Sequence, residues 1–205
     1  MNGHKIFHNF IGGEFREGSG GKTFPVYAPA TGEAYGMASE ASKRDVDDAV
    51  NAARTALNGA WGRLSIPERT ELLMNVADEI DRRFDEFLEA EILDTGKPRS
   101  LASHIDIPRG AANFRMFSDT IRTQAGELFE MVTPDGTGAI NYSVRKPRGV
   151  IAVICPWNLP LLLMTWKVGP ALACGNTVVV KPSEETPATA TMLGEVMNKV
   201  GIPRG

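Results

Sequence analysis

Two short segments hold the residues best suited to chemistry: Cys155-Pro156-Trp157-Asn158-Leu159-Pro160 and Lys181-Pro182-Ser183-Glu184-Glu185-Thr186-Pro187. Each follows a short β-branched apolar run, Val150–Ile154 and Thr177–Val180, of the kind that fills a strand covered on both faces. In an open parallel sheet, ligands bind at the carboxyl ends of the strands, where both segments are expected to stand. Prolines at 156 and 160 bracket an indole and a carboxamide, so neither helix nor strand continues through the first segment. A carboxamide on a stiff loop is a good donor to a developing oxyanion. Asn is equally suited to capping the helix that follows, and the local pattern leaves both roles open for Asn158. In the second segment a lysine leaves a buried strand ahead of a hydroxyl and carboxylates, a set that could grip a ribose or a phosphate. A carboxylate in this place favours ribose hydroxyls, because it repels a 2′-phosphate. A solvated loop with a helix cap uses the same residue types. No G-x-G-x-x-G follows Val150–Ile154 and no P-loop is present, so the common phosphate cradles are missing from the sequence.

Cys155 lies close to Asn158 but has no histidine partner in the sequence pattern, and a thiol at the end of a buried strand has a raised pKa. It is not assigned as a nucleophile. Cys155 and Cys174 are too few for a disulfide framework and read as buried small hydrophobes in a reducing compartment. His4, His8 and His104 form no metal-ligand pattern with them, and no metal site is expected. The 205 residues carry a net charge of −3, with 42% hydrophobic and 23% charged side chains. That balance excludes a disordered chain and a nucleic-acid binder that works by bulk charge. The most apolar stretch, Gly149 to Met164, is broken by Pro156, Asn158 and Pro160. It falls short of the roughly 18 apolar residues of a membrane helix. No apolar run of signal-peptide length follows Met1-Asn2-Gly3-His4-Lys5, so a cytoplasmic protein without membrane contact is expected.

The elements that must position these residues follow from their local patterns. Phe10-Ile11-Gly12-Gly13-Glu14-Phe15 has the two-residue Gly-Gly hairpin signal, and Pro29-Ala30-Thr31-Gly32 is a turn. Ser42 with Asp45 resembles a capping box, ahead of Val46, Ala49, Val50, Ala53 and Leu57 at helical spacing. Ser65 with Glu68 opens a second helix, with Leu72, Leu73, Val76, Ala77 and Ile80 as its stripe. Phe84, Phe87, Leu88 and Ile92 continue the pattern after a bend, and Gly96 and Pro98 stop it. A further helix is predicted from about Pro108, with Ala111, Phe114, Phe117 and Ile121 on one face. Alternation of Ile140, Tyr142 and Val144 with polar residues predicts a strand to Arg145. Leu161 to Ala173 reads as a helix, and Thr186-Pro187 as the cap and first position of another that runs to about Val200, with Gly201 behind it. The order strand, helix, strand, helix from Val150 is the start of a parallel α/β sheet.

Taken together, these residues go beyond spacing. Val153-Ile154-Cys155-Pro156-Trp157-Asn158-Leu159-Pro160, followed by the run from Trp166-Lys167-Val168-Gly169-Pro170 through Asn176 to Lys181-Pro182-Ser183-Glu184, strongly resembles the NAD(P)-dependent aldehyde dehydrogenase superfamily. The Pro29–Gly32 turn, Trp61, Pro67-Glu68-Arg69, Thr95-Gly96-Lys97-Pro98 and Gly201-Ile202-Pro203 fit in the same order, so the resemblance covers essentially the whole chain. Asp106-Ile107-Pro108-Arg109, Asn113-Phe114-Arg115 and Leu163-Met164-Thr165-Trp166-Lys167 look most like the 2-hydroxymuconic and 2-aminomuconic semialdehyde dehydrogenase branch. Another branch, such as the betaine-aldehyde type, is the alternative.

The resemblance implies oxidation of an aldehyde through a thiohemiacetal, with NAD as cofactor. It makes Asn158 the side-chain donor to the oxyanion, and places Ile154, Pro156 and Trp157 along the cofactor cleft. Lys181, Ser183 and Glu184 match the segment that holds the adenosine ribose, with Glu184 favouring NAD over NADP. Arg109 matches an arginine that binds the substrate carboxylate, a pairing a guanidinium fork suits; a surface salt bridge is the alternative. Trp166 matches a residue near the substrate entrance, and core packing would explain it equally well. The implied fold is α/β: an N-terminal hairpin and helical part of the cofactor-binding domain over 1–138, an oligomerisation-type strand over 139–148, and the first, incomplete βαβα of a Rossmann-like sheet over 149–205. The family's nucleophilic cysteine and general-base glutamate match nothing here, so the chain reads as a truncated N-terminal portion, inactive by itself. Its expected partners are a small-molecule aldehyde and, for the full-length protein, further copies in a dimer or tetramer. A stand-alone weak nucleotide binder and a degenerate interaction fragment are the competing readings.

Overall fold

The computed structural model describes residues 5–205; His4 and the residues before it lie outside them. The N-terminal part is β-rich. Strands β4 (Thr23–Ala28) and β5 (Glu33–Ser39) pair antiparallel, and β1 (Lys5–Phe7) adds to β5 in parallel, giving the order β1-β5-β4. The predicted hairpin is present as β2 (Asn9–Ile11) and β3 (Glu14–Arg16). Gly12 and Gly13 join them, both at positive φ (63° and 78°), as a primed two-residue turn requires.

Helices form the central layer: α1 (Lys43–Asn58), α2 (Ile66–Arg82), α3 (Phe84–Thr95), the single turn α4 (Arg99–Leu101) and α5 (Ile107–Thr123). Reciprocal capping boxes start α1 and α2: Ser42 and Ser65 accept from the backbone N–H groups of Asp45 and Glu68, whose carboxylates accept in return. Gly96, left-handed at φ 68°, ends α3. The buried stripe of α2 is Leu73, Val76, Ala77 and Ile80, and it packs with Phe87 and Phe114 into the main core. The stripe expected on α1 is corrected: Val46 is exposed, and Ala53 and Ala56 carry the burial. A π-helical turn, Ala102–Asp106, precedes α5 and was not legible as a period of 3.6.

The C-terminal part is a β-α-β-α unit: β8 (Val150–Ile154), α6 (Pro160–Ala173), β9 (Thr177–Lys181) and α7 (Ala188–Lys199). β8 and β9 run parallel, from Val150 opposite Thr177 to Ile154 opposite Lys181. Asn176 staples their starts: its Oδ1 accepts from the Gly149 N–H at 2.9 Å, and its backbone carbonyl accepts from the buried Trp61 Nε1 at 2.9 Å. The expectation that both strands are covered on both faces does not hold here. Ile151, Val153, Val178 and Val180 pack on the core, whereas Ala152 and Ile154 are exposed. The period-2 pleat points alternate residues to opposite faces, and among the described residues none covers Ala152 and Ile154 on the second one.

Between the two parts, β6 (Leu128–Met131) and β7 (Ala139–Tyr142) form an antiparallel hairpin. The strand expected to run to Arg145 ends at Tyr142, and its partner β6 went unread. Cys174 is exposed, against the expectation that both cysteines are buried; Cys155 is buried as expected.

Candidate functional site

The two chemistry-bearing segments meet at the carboxyl ends of β8 and β9. The Cys155 N–H donates to the Lys181 carbonyl at 3.0 Å, carrying the strand ladder one step past β8. Beyond it the chain turns away, and Pro160 opens α6 at a first-turn position where its missing N–H costs nothing. Cys155, Pro156 and Pro160 from one loop and Pro182, Ser183 and Thr186 from the other line a shared crevice. Ile154 is 70% exposed and Trp157 63% exposed, so an aliphatic side chain and an indole flank that edge with open apolar surface.

Asn158 is exposed, and the alternative that it caps α6 falls away. The N-cap of α6 is Leu159, whose side chain makes no capping hydrogen bond. The Leu161 N–H is met from outside by Glu91 Oε2 of α3 at 3.4 Å. The Asn158 carboxamide therefore has no capping task in this fold. Burial pushes the Cys155 thiol above the ordinary cysteine value, and Lys167 and Lys181 oppose this only in part, an environment that disfavours the thiolate. Lys167 is occupied elsewhere, its Nζ donating to the Ile154 carbonyl at 2.7 Å.

In the second segment Lys181 Nζ meets Glu184 Oε2 at 2.7 Å, with both side chains well exposed. The Lys181 hydrogen bond holds the Glu184 carboxyl below its usual range, so it is ionised and presents acceptors. Ser183 is buried; its Oγ accepts from the Glu185 N–H at 3.3 Å, which shapes the turn. The Thr186 cap is a correction: α7 begins at Ala188 behind Pro187 with no capping side chain of its own segment. Asp94 of α3 supplies the acceptor, taking the Ala188 N–H at 2.9 Å.

Arg109 lies on α5 and Trp166 on α6, and packing of those helices brings them together. The guanidinium carbon sits 5.6 Å from the Trp166 ring centroid, a cation–π distance. Among the described residues Arg109 enters no ion pair, so the surface-salt-bridge alternative is not realised. Trp166 is 45% exposed, against the core-packing alternative.

Sequence reasoning missed the buried charges beneath the site. Glu91, Asp94 and Asp106 are all buried, and Lys97 Nζ lies 2.5 Å from Asp106 Oδ2 and 3.8 Å from Glu91 Oε1. Burial raises the Glu91 carboxyl to about 8. Burial likewise raises Asp94 to about 6, while hydrogen bonds from Tyr35 and the Ala188 N–H pull the other way. The available signal was the placement of Glu91 and Asp94, three residues apart, on a helix whose neighbours Phe87, Leu88 and Ile92 are apolar.

This arrangement has relatives. Residues 15–205 match the aldehyde dehydrogenase family. The chain belongs to that family. Over 98% of its length this aldehyde dehydrogenase chain is 64% identical to 2-hydroxymuconic semialdehyde dehydrogenase of Pseudomonas sp. (strain CF600), covering 41% of that protein. It is 53% identical to a Pseudomonas 2-aminomuconic 6-semialdehyde dehydrogenase, with 98% of this chain and 40% of the relative covered. Among solved structures it resembles the NAD+ complex of the Bacillus cereus aldehyde dehydrogenase, with TM-score 0.92 and 36% identity, covering 98% of this chain and 40% of that one. The aldehyde dehydrogenase chain thus spans about two fifths of the length of the relatives it matches. No helix among its described residues is long and apolar enough to cross a membrane.

Proposed function

We propose that this chain is the N-terminal portion of an NAD-dependent aldehyde dehydrogenase that oxidises a carboxylate-bearing semialdehyde, of the 2-hydroxymuconic or 2-aminomuconic type, to the acid. The observation that carries the reading is Arg109: an exposed guanidinium, stacked on Trp166 and without an acidic partner among the described residues. A planar fork free of carboxylates of its own is suited to take one from a ligand. The names of the relatives support the same substrate class.

In this reading Asn158 donates its side-chain N–H to the oxygen that gains charge as the aldehyde is attacked. Loss of one such donor typically lowers a rate by about 100- to 1,000-fold. The residues at the sheet edge fit a dinucleotide. Glu184 and Lys181 offer solvent-facing polar groups to the adenosine ribose hydroxyls, with Ser183 shaping the turn beneath them. Ionised Glu184 disfavours a 2′-phosphate and so favours NAD over NADP. Pro156 lines the crevice, and Ile154 and Trp157 beside it offer exposed apolar surface for a cofactor to cover. When bound, NAD supplies the hydride acceptor. Residues 1–138 and 149–205 would then belong to the cofactor-binding domain, and 139–148 to a strand that pairs subunits of a dimer or tetramer. The exposed apolar hairpin β6–β7 favours that pairing role.

The test is a titration of the chain with NAD, followed by quenching of Trp157. Saturable quenching in the millimolar range, weaker for NADP and weakened by Glu184→Gln, is expected. No saturable change at millimolar NAD would overturn the cofactor assignment. The 205 residues alone are expected to bind without turnover, and steady NADH formation from an aldehyde by this chain would refute that expectation.

A further inference from the structure

Helices α5 and α6 cross with almost nothing between them. A Cβ added at Gly110 would stand 2.7 Å from the Leu161 side chain, and one at Gly169 would stand 3.2 Å from Phe117. At this crossing lies Asn113, buried, one helical turn after Arg109 on the same side of α5. Its Nδ2 donates both to the Leu162 carbonyl at 3.2 Å and to Thr165 Oγ1 at 3.0 Å, and Thr165 in turn donates to Leu162 at 3.1 Å. Thr165 is the neighbour of Trp166, on which Arg109 stacks. Leu162 belongs to the first turn of α6, the turn that the Asn158 loop leads into. One carboxamide therefore joins the helix that presents the guanidinium to the helix that anchors the oxyanion donor.

Apolar ridges can settle in more than one register when small residues let two helices approach. Buried hydrogen bonds are directional, and a buried donor left without its acceptor is costly, so they select one register. The chemistry also asks for an amide: the Leu162 carbonyl only accepts, so a carboxylate at position 113 could not replace the N–H donors. Resting on the reading of Arg109 and Asn158 above, we propose that Asn113 is a positioning residue that sets the separation between the Arg109 guanidinium and the Asn158 carboxamide. It thereby selects the length of the carboxylate-bearing ligand that reaches both.

The test compares a ligand that reaches both groups with one that reaches only Arg109. Trans,trans-muconate, a stiff six-carbon dicarboxylate, and acetate are titrated into the chain while Trp166 fluorescence is followed. Muconate is expected to bind the unaltered chain tighter than acetate. Asn113→Ala and Thr165→Val should each weaken muconate at least fivefold and leave acetate within twofold, because the guanidinium itself is untouched. Thr165→Ser, which keeps the hydroxyl, should retain muconate affinity. Far-UV circular dichroism identifies any variant that fails to fold, and Thr165→Val then carries the comparison alone. Folded Asn113→Ala and Thr165→Val chains that keep muconate affinity would overturn the positioning role while leaving Arg109 as a carboxylate site. Equal loss of both ligands would reduce Asn113 to a general structural residue and likewise overturn it. If Arg109→Met leaves acetate and muconate binding unchanged, the Arg109 reading itself fails and the positioning role falls with it.

Discussion

The helical layer and the β6–β7 hairpin are built from similar side chains and treat them in opposite ways. Phe87, Phe114, Ile80 and Leu73 are sealed within the layer, whereas Leu128, Phe129, Ile140 and Tyr142 stand open to solvent. The contrast follows from period and length. A helix places residues three and four apart on one stripe, which several helices can close over. A two-stranded ribbon shows both faces and an unpaired edge, and among the described residues its apolar side chains stay exposed. Apolar content alone therefore does not locate a core. What the hairpin leaves open is surface of the kind used between subunits.

The comparison is broken most severely by truncating the core. Phe114→Ala is expected to cost about 3–5 kcal/mol in urea denaturation, whereas Phe129→Ala on the hairpin should stay within about 0.5 kcal/mol. Comparable losses at the two sites would mean that the hairpin is packed after all.

A smaller effect tests the charges within the same layer. The folded Glu91 carboxyl, near 8, lies above its ordinary range, so the folded chain holds a proton that the unfolded chain releases. Stability should accordingly fall as pH rises from about 5 to 8, by several degrees in Tm at this chain length. Asp94, near 6, adds a slope of the same sign at the acid end of that window. Glu79 acts in the opposite sense: held at about 2 chiefly by Arg82, it stabilises above the ordinary carboxylate range and loses that contribution only as pH falls toward 2. Glu91→Gln, which stays neutral, should flatten the melt series between pH 6 and 8. An unchanged slope would show that Glu91 is not the titrating group.

The smallest expected change in stability belongs to the hairpin surface. Paired substitutions Phe129→Lys and Ile140→Lys should leave the urea midpoint nearly unchanged and shift elution in size exclusion toward the monomer. Loss of stability without a shift in elution would place these residues in a fold contact instead.

Much of the framework was legible beforehand because its signals are local. Ser42 and Asp45, Ser65 and Glu68, and the Gly12-Gly13 turn each act within three residues, and each formed as its pattern dictates. The end of α3 at Gly96 and the two β-branched strands were equally plain. The errors share a cause. Thr186 looked like a cap, but Asp94 holds the helix start from a distance. The strands looked fully covered, but one face of β8 is open, because cover depends on what packs there and not on the strand's own composition. The π-turn before α5 shifts the helical period, and a pattern reading built on 3.6 residues passes over it. Of the site, the residue types were readable; which alternative each would adopt was not.

The sequence by itself determined where α1, α2 and the β2–β3 hairpin begin, which segments bear the carboxamide, the lysine–glutamate pair and the arginine, and which family the order of motifs resembles. These follow from hydrogen bonds and periodicities that close within a few residues. The tertiary structure alone decided that Arg109 stacks on Trp166, that Asn158 has no helix to cap, and that Glu91 sits in a place dry enough to keep its proton. Those outcomes depend on partners far apart in the chain, as with Trp61 and Asn176, 115 residues apart, and on exclusion of water. Both exist only once the layers have packed.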